Sequence, residues 1–127
     1  MYEATLLDTV GRLLLVSLFI VTGIMNLAPA TVKEHVHRMT DLGVPFPAVS
    51  LWLGTAIEFA GCALVLTGWH ADIGVILLIV FIVVATWIFH RFWIYSDPLR
   101  RRISRLTLLS NTAIVGGLLL LLQNVRA

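Results

Sequence analysis

Four runs of apolar residues, separated by short polar segments, divide the chain. The first extends from about Thr5 to Ala28 and carries no charge between Leu13 and Ala30. The second, from about Ala48 to Gly68, is interrupted only by Glu58. The third, from about Ile73 to Trp93, is uncharged until His90 and Arg91, and the fourth, from about Ile103 to Gln123, is uncharged from Leu106 through Val125. A hydrocarbon core about 30 Å thick needs roughly 20 apolar residues in a helix that rises 1.5 Å per residue. Each run is long enough. Backbone N–H and C=O groups in lipid must find partners within their own segment, so the runs predict helices rather than strands. The expected fold is therefore all-α: a polytopic membrane protein, one domain over residues 1–127, built as a four-transmembrane-helix bundle with helices at about 5–28, 48–68, 73–93 and 103–123.

The connections between the runs carry information of their own. Thr31 to Pro47 is polar, with Lys33, Glu34, His35, His37, Arg38 and Asp41, and it ends in Gly43, Pro45 and Pro47. Val32, Val36 and Met39 recur there at helical spacing, which fits either a short interfacial helix or a plain loop. Trp69 to Asp72 is so short that the helices on either side must be antiparallel neighbours. At the end of the third run, Asp97-Pro98 is a helix stop, and Arg100, Arg101 and Arg102 follow it.

Composition closes off the soluble alternative. The chain is 59% hydrophobic and 13% charged, with a mean hydropathy of +0.96, whereas soluble domains carry roughly 25% charged residues. A soluble core of this size could not hide that much apolar surface. The net charge of +2 reads as membrane-anchoring charge rather than a nucleic-acid footprint, because the basic residues are distributed unequally between the two ends of the helices. Lys33, Arg38, Arg91, Arg100, Arg101, Arg102 and Arg105 fall on one side, and Arg12 and Arg126 on the other. That asymmetry predicts a cytoplasmic location for the first group and both termini outside. Trp52, Trp69, Trp93 and Tyr95 lie near the expected boundaries, where amphipathic rings settle. The stretch Met1 to Asp8 has two acids and no early base, so the first helix is expected to remain rather than be cleaved as a signal.

Candidate chemistry is confined to a few polar residues inside the runs. A charge at the centre of a membrane helix costs about 2.5–3.5 kcal/mol on the insertion scale and usually faces the bundle interior. Glu58, flanked by Gly54 and Gly61, is expected to point inward. Depth counted along the helices brings Arg12 and Asn111 within reach of it. The expectation is an Arg12–Glu58 pair braced by Asn111, serving either as a structural staple or as a proton-accepting or headgroup-binding site. A second layer nearer the cytoplasm comprises Thr86 and His90 at i, i+4, Trp93 continuing their face, and Asn26 at similar depth. It could hold a quinone or lipid headgroup, or be an interfacial histidine tied to a neighbouring helix. Cys62 is the lone cysteine, and His35, His37, His70 and His90 do not share one depth or face, so neither a metal site nor a haem is expected. The arginines at 100, 101, 102 and 105 are a candidate docking surface for anionic lipid or an acidic partner.

These residues carry a family resemblance. Gly11-Arg12-Leu-Leu-Leu with Phe19 and Gly23 resembles the first helix of the DoxX family, and Glu58-Phe-Ala-Gly61 followed by Leu-Thr-Gly68 resembles its second. Ala85-Thr86 through His90-Arg-Phe-Trp93 is similar to the end of the third, and Asn111 with Gly116-Gly117-Leu-Leu-Leu to the fourth. Two positions depart from the family pattern. Asn26 stands where a lysine is common at the end of the first helix, and Ser110 where a lysine commonly precedes the asparagine. The resemblance implies a multi-pass protein of a bacterial or archaeal plasma membrane, associated with redox complexes. In that setting, quinone is the expected ligand, no group is bound covalently, and other subunits of a membrane complex are the expected partners. The alternative is a structural or assembly subunit with no redox role. Any oxidoreductase activity would be that of a membrane subunit, since one cysteine and four scattered histidines cannot carry electrons alone.

Overall fold

The structure is a computed structural model that describes residues 2–126. Helix α1 spans Tyr2–Met25, α2 Pro29–Asp41, α3 Pro47–Thr67 and α4 Ala71–Phe89. A 3-10 turn at Phe92–Ile94 then leads to α5, Pro98–Arg126. Four helical segments are long and apolar enough to cross a membrane: Leu6–Met25, Pro47–Thr67, Ala71–Ile94 and Pro98–Val125. The chain is a four-helix membrane bundle with one additional short helix. Asn124 donates a hydrogen bond to Asp8 at 3.2 Å, which brings the start of α1 and the end of α5 to the same end of the bundle.

The bundle is built around α3 and α4, which pack against each other most extensively; α1 leans on α3 and α5 on α4, while α1 and α5 touch only lightly. The core joins Val16 and Phe19 of α1, Cys62 and Val65 of α3, Val75, Leu78 and Ile82 of α4, and Leu118 and Leu121 of α5. The outward faces remain apolar, as at Leu14, Val83 and Leu120, because lipid tails solvate them as readily as a protein core would. Where α3 crosses α4, two glycines remove the side chains that would hold the helices apart. A Cβ on Gly74 would lie 2.8 Å from Leu64 Cβ and 2.9 Å from the Gly61 carbonyl oxygen. The connection between these helices, residues 68–70, is closed by Gly68 at φ 75° and His70 at φ 49°, both left-handed.

The polar segment after α1 is a helix, not a loop. Pro29 sits in its first turn, where a missing N–H costs nothing, and Met39 is its buried anchor. The helix rests on α3 and on the end of α4, with His35 edge-on to Phe89 at 5.5 Å and the Arg38 guanidinium 5.1 Å above the same ring.

Helix α4 ends at Phe89, earlier than the apolar run suggests. The Tyr95 hydroxyl donates to the Phe89 carbonyl at 2.5 Å, which satisfies an orphan acceptor of the last turn and folds the chain back on itself. Trp93 therefore belongs to a separate 3-10 turn and does not continue the Thr86–His90 face. Helix α5 starts earlier than expected, at Pro98, with the Asp97 carboxylate accepting the Arg100 N–H at 3.3 Å as an N-cap. Its 29 residues span about 43 Å, longer than a hydrocarbon core of about 30 Å. The first two turns, with Arg100, Arg101, Arg102 and Arg105 all exposed, project past the apolar part.

Candidate functional site: a cleft between α4 and α5

The last three turns of α4 and the middle of α5 diverge enough to leave a cleft of about 240 Å³ open to the bundle surface. Val83, Leu108 and Val115 form its apolar part, and Trp87 and Trp93 its aromatic walls. The two indoles meet at 6.2 Å with planes inclined by 61°. The polar groups are Thr86, Asn111, Thr112 and Arg91. Asn111 Nδ2 donates to Thr86 Oγ1 at 2.9 Å across the two helices, which uses one of two amide donors and leaves the other and the carbonyl. The Arg91 guanidinium stands 4.9 Å over the Trp87 ring. Its Nε is enclosed and has no hydrogen-bond partner. No carboxylate forms an ion pair with Arg91 among the described residues.

The expected sites are thereby rearranged. Arg12 does not pair with Glu58. It meets Asp8, one turn away on its own helix, at 2.9 Å, and its other terminal nitrogen points at the Val65 carbonyl oxygen at 3.5 Å. Val65 lies two residues from the end of α3, so Arg12 is near the rim. Glu58 is level with Thr22 and Gly23, ten residues further along α1 than Arg12, or about 15 Å. The carboxylate nearest to an arginine on a helix is often the one four residues before it, and that local pair forms here. Glu58 does face inward, only 2% exposed, with the Thr22 hydroxyl 3.4 Å from Oε2. Asn111 braces Thr86 and not Glu58. Of the second expected layer, Thr86 and Trp93 line the cleft, whereas Asn26 and His90 do not. The His90 ring packs against Phe89, and its enclosed Nδ1 has no partner.

Trp87 was not singled out from the sequence, and Arg91 was read there only as an anchoring charge. Their spacing of four residues was the available signal, since an arginine that far from a tryptophan can lie over its ring. The Thr86–Asn111 bond left no local trace, because 25 positions separate its partners. Among the described residues, no three His, Cys, Asp or Glu side chains gather in a metal-binding arrangement.

A model of the DoxX family matches residues 7–91, about two-thirds of the chain. This chain belongs to the DoxX family. The match runs from α1 through α4, and α5, which carries Asn111 and the four exposed arginines, lies beyond it. The DoxX membership thus agrees with the membrane bundle, and Leu108, Asn111, Thr112 and Val115 of the cleft come from a helix outside the matched region. No curated protein and no solved structure matches the chain.

Proposed function

We propose that this DoxX protein is a non-autonomous membrane subunit of a redox-linked assembly in a bacterial or archaeal plasma membrane, and that the α4–α5 cleft receives a quinone ring. One observation carries the reading: Arg91 and Asn111, two groups with spare N–H donors, share a cleft walled by two tryptophans and open at the bundle surface. A flat ring with two carbonyl oxygens suits indole walls and a pair of donors, while an isoprenoid tail would leave along Val83, Leu108 and Val115. Arg91, already stacked on Trp87, would donate to one carbonyl, and the second amide hydrogen of Asn111 to the other. A bound quinone would supply the two-electron, two-proton chemistry, and a partner subunit the electrons. The exposed Arg100, Arg101, Arg102 and Arg105 are the surface on which an acidic partner would dock.

The test is a titration of the purified protein in nanodiscs with a short-chain quinone, read by quenching of tryptophan fluorescence. Asn111→Leu and Arg91→Gln should each weaken binding by about tenfold, the equivalent of ~1.4 kcal/mol for one lost hydrogen bond. Equal affinity in wild type and both variants would remove quinone from the cleft. The structural alternative would then stand, supported by the Thr86–Asn111 bond, which ties α4 to α5 with no ligand required.

A further inference from the structure

A second opening, separate from the cleft, lies between α1 and α5 at the end of the bundle where α1 begins and α5 ends. It is a groove of about 570 Å³, formed because these two helices scarcely pack against each other. Leu14 and Leu15 of α1 and Leu120 and Leu121 of α5 line its apolar part, and Asp8, Arg12 and Asn124 cluster at its outer end. We propose that this groove holds one zwitterionic phospholipid whose headgroup carries a primary ammonium, in the leaflet on the side of the termini.

Length selects the occupant. The α1 wall runs from Leu7 to Leu15 and the α5 wall from Gly117 to Asn124, about 12 Å at 1.5 Å per residue. That is most of one leaflet of a hydrocarbon core about 30 Å thick. A transmembrane helix of another chain would need a seam along the whole core, whereas an acyl chain needs only this depth. The groove is also polar at one end and apolar at the other, the same order as a lipid in its leaflet.

Charge selects the headgroup. Asp8 and Arg12 form an ion pair at 2.9 Å, with side chains 26% and 24% exposed, so the rim offers one negative and one positive group side by side. Asn124 Nδ2 is engaged with Asp8 Oδ1 at 3.2 Å, which leaves its carbonyl as an acceptor. Arg12 Nε is enclosed and has no hydrogen-bond partner. A phosphate would lie against the guanidinium, and an ammonium with N–H donors against Asp8 and the Asn124 carbonyl. A quaternary ammonium has no N–H to give, and an anionic headgroup would meet Asp8 unfavourably.

The experiment equilibrates the delipidated full chain with equimolar phosphatidylethanolamine, phosphatidylcholine and phosphatidylglycerol, then counts retained lipids by native mass spectrometry. One phosphatidylethanolamine per chain should remain, enriched about tenfold over phosphatidylcholine, as one charge-assisted hydrogen bond would give. Gly11→Phe should displace it. Gly11 lines the groove and a Cβ there meets nothing within 4 Å, so the side chain extends into the opening, and an unchanged melting temperature would verify that the bundle is undisturbed. Asp8→Asn should reduce the preference for ethanolamine over choline. Retention without headgroup preference, retention in Gly11→Phe, or a second protein chain occupying the groove would each overturn the proposal.

Discussion

At Glu58 the bundle encloses a carboxyl against a threonine hydroxyl, while the arginine of the same two helices is engaged elsewhere. These two residues should therefore behave independently. In a double-mutant cycle read by thermal unfolding in detergent, Arg12→Gln and Glu58→Gln should add within about 0.5 kcal/mol, as unconnected sites do. Arg12→Gln and Asp8→Asn should instead show a coupling of about 0.5 kcal/mol, the scale of a partly exposed pair one helical turn apart. A larger coupling between Arg12 and Glu58 would contradict the geometry. The Asp8–Arg12 spacing was legible in the sequence; the inward direction of Glu58 was legible too, because an isolated carboxylate in an apolar run has nowhere else to go. The partner of Glu58 was not legible. Depth counted from the start of an apolar run assigns every helix the same rim, and α1 begins several residues before the level of Val65.

Elements show a similar division between local and distant information. Gly61 was recognisable as part of a small-residue face on α3, but its counterpart Gly74 depends on how α4 crosses, which no local pattern encodes. Adding one methyl there forces the helices apart. Gly74→Ala should lower stability by about 1–3 kcal/mol, whereas Gly116→Ala, whose Cβ would meet nothing within 4 Å, should leave the melting temperature unchanged or raise it slightly. Equal melting of both variants would mean that the close crossing is absent. The end of α4 shows why boundaries are harder to read than spans. The apolar run continues to Trp93, but a hydroxyl six residues past Phe89 decides where the helix stops. The arginines in the first turns of α5 oppose the positive end of its macrodipole, so their presence is not explained by helix stability and fits an anionic surface better.

For the whole molecule, the four spans were readable because lipid imposes a length and forbids unpaired backbone. Of the mutual arrangement only the α3–α4 pairing was readable, from the short connection between them; the rest was not, since the lipid-facing and core-facing surfaces of the helices are equally apolar. Sidedness rests on the excess of basic residues around α2 and the start of α5. It can be tested with cysteines at Gln123 and Arg101, both exposed and at opposite ends of α5. The only native thiol, Cys62, is buried and should give little background. An impermeant maleimide added to intact cells should label position 123 and spare position 101; the reverse would invert the orientation.

The three-residue connection between α3 and α4 has a consequence for biogenesis. With only residues 68–70 between Thr67 and Ala71, and two of them fixed in left-handed geometry, the helices have no slack to enter the bilayer separately. Entry as a paired hairpin is the outcome this connection predicts. Glu58, whose hydroxyl partner Thr22 stands on α1, gains its shielding from that helix rather than from the hairpin itself. The hairpin returns the chain to the side from which it came, so the α2 segment and the arginines of α5 are retained on one side of the membrane together.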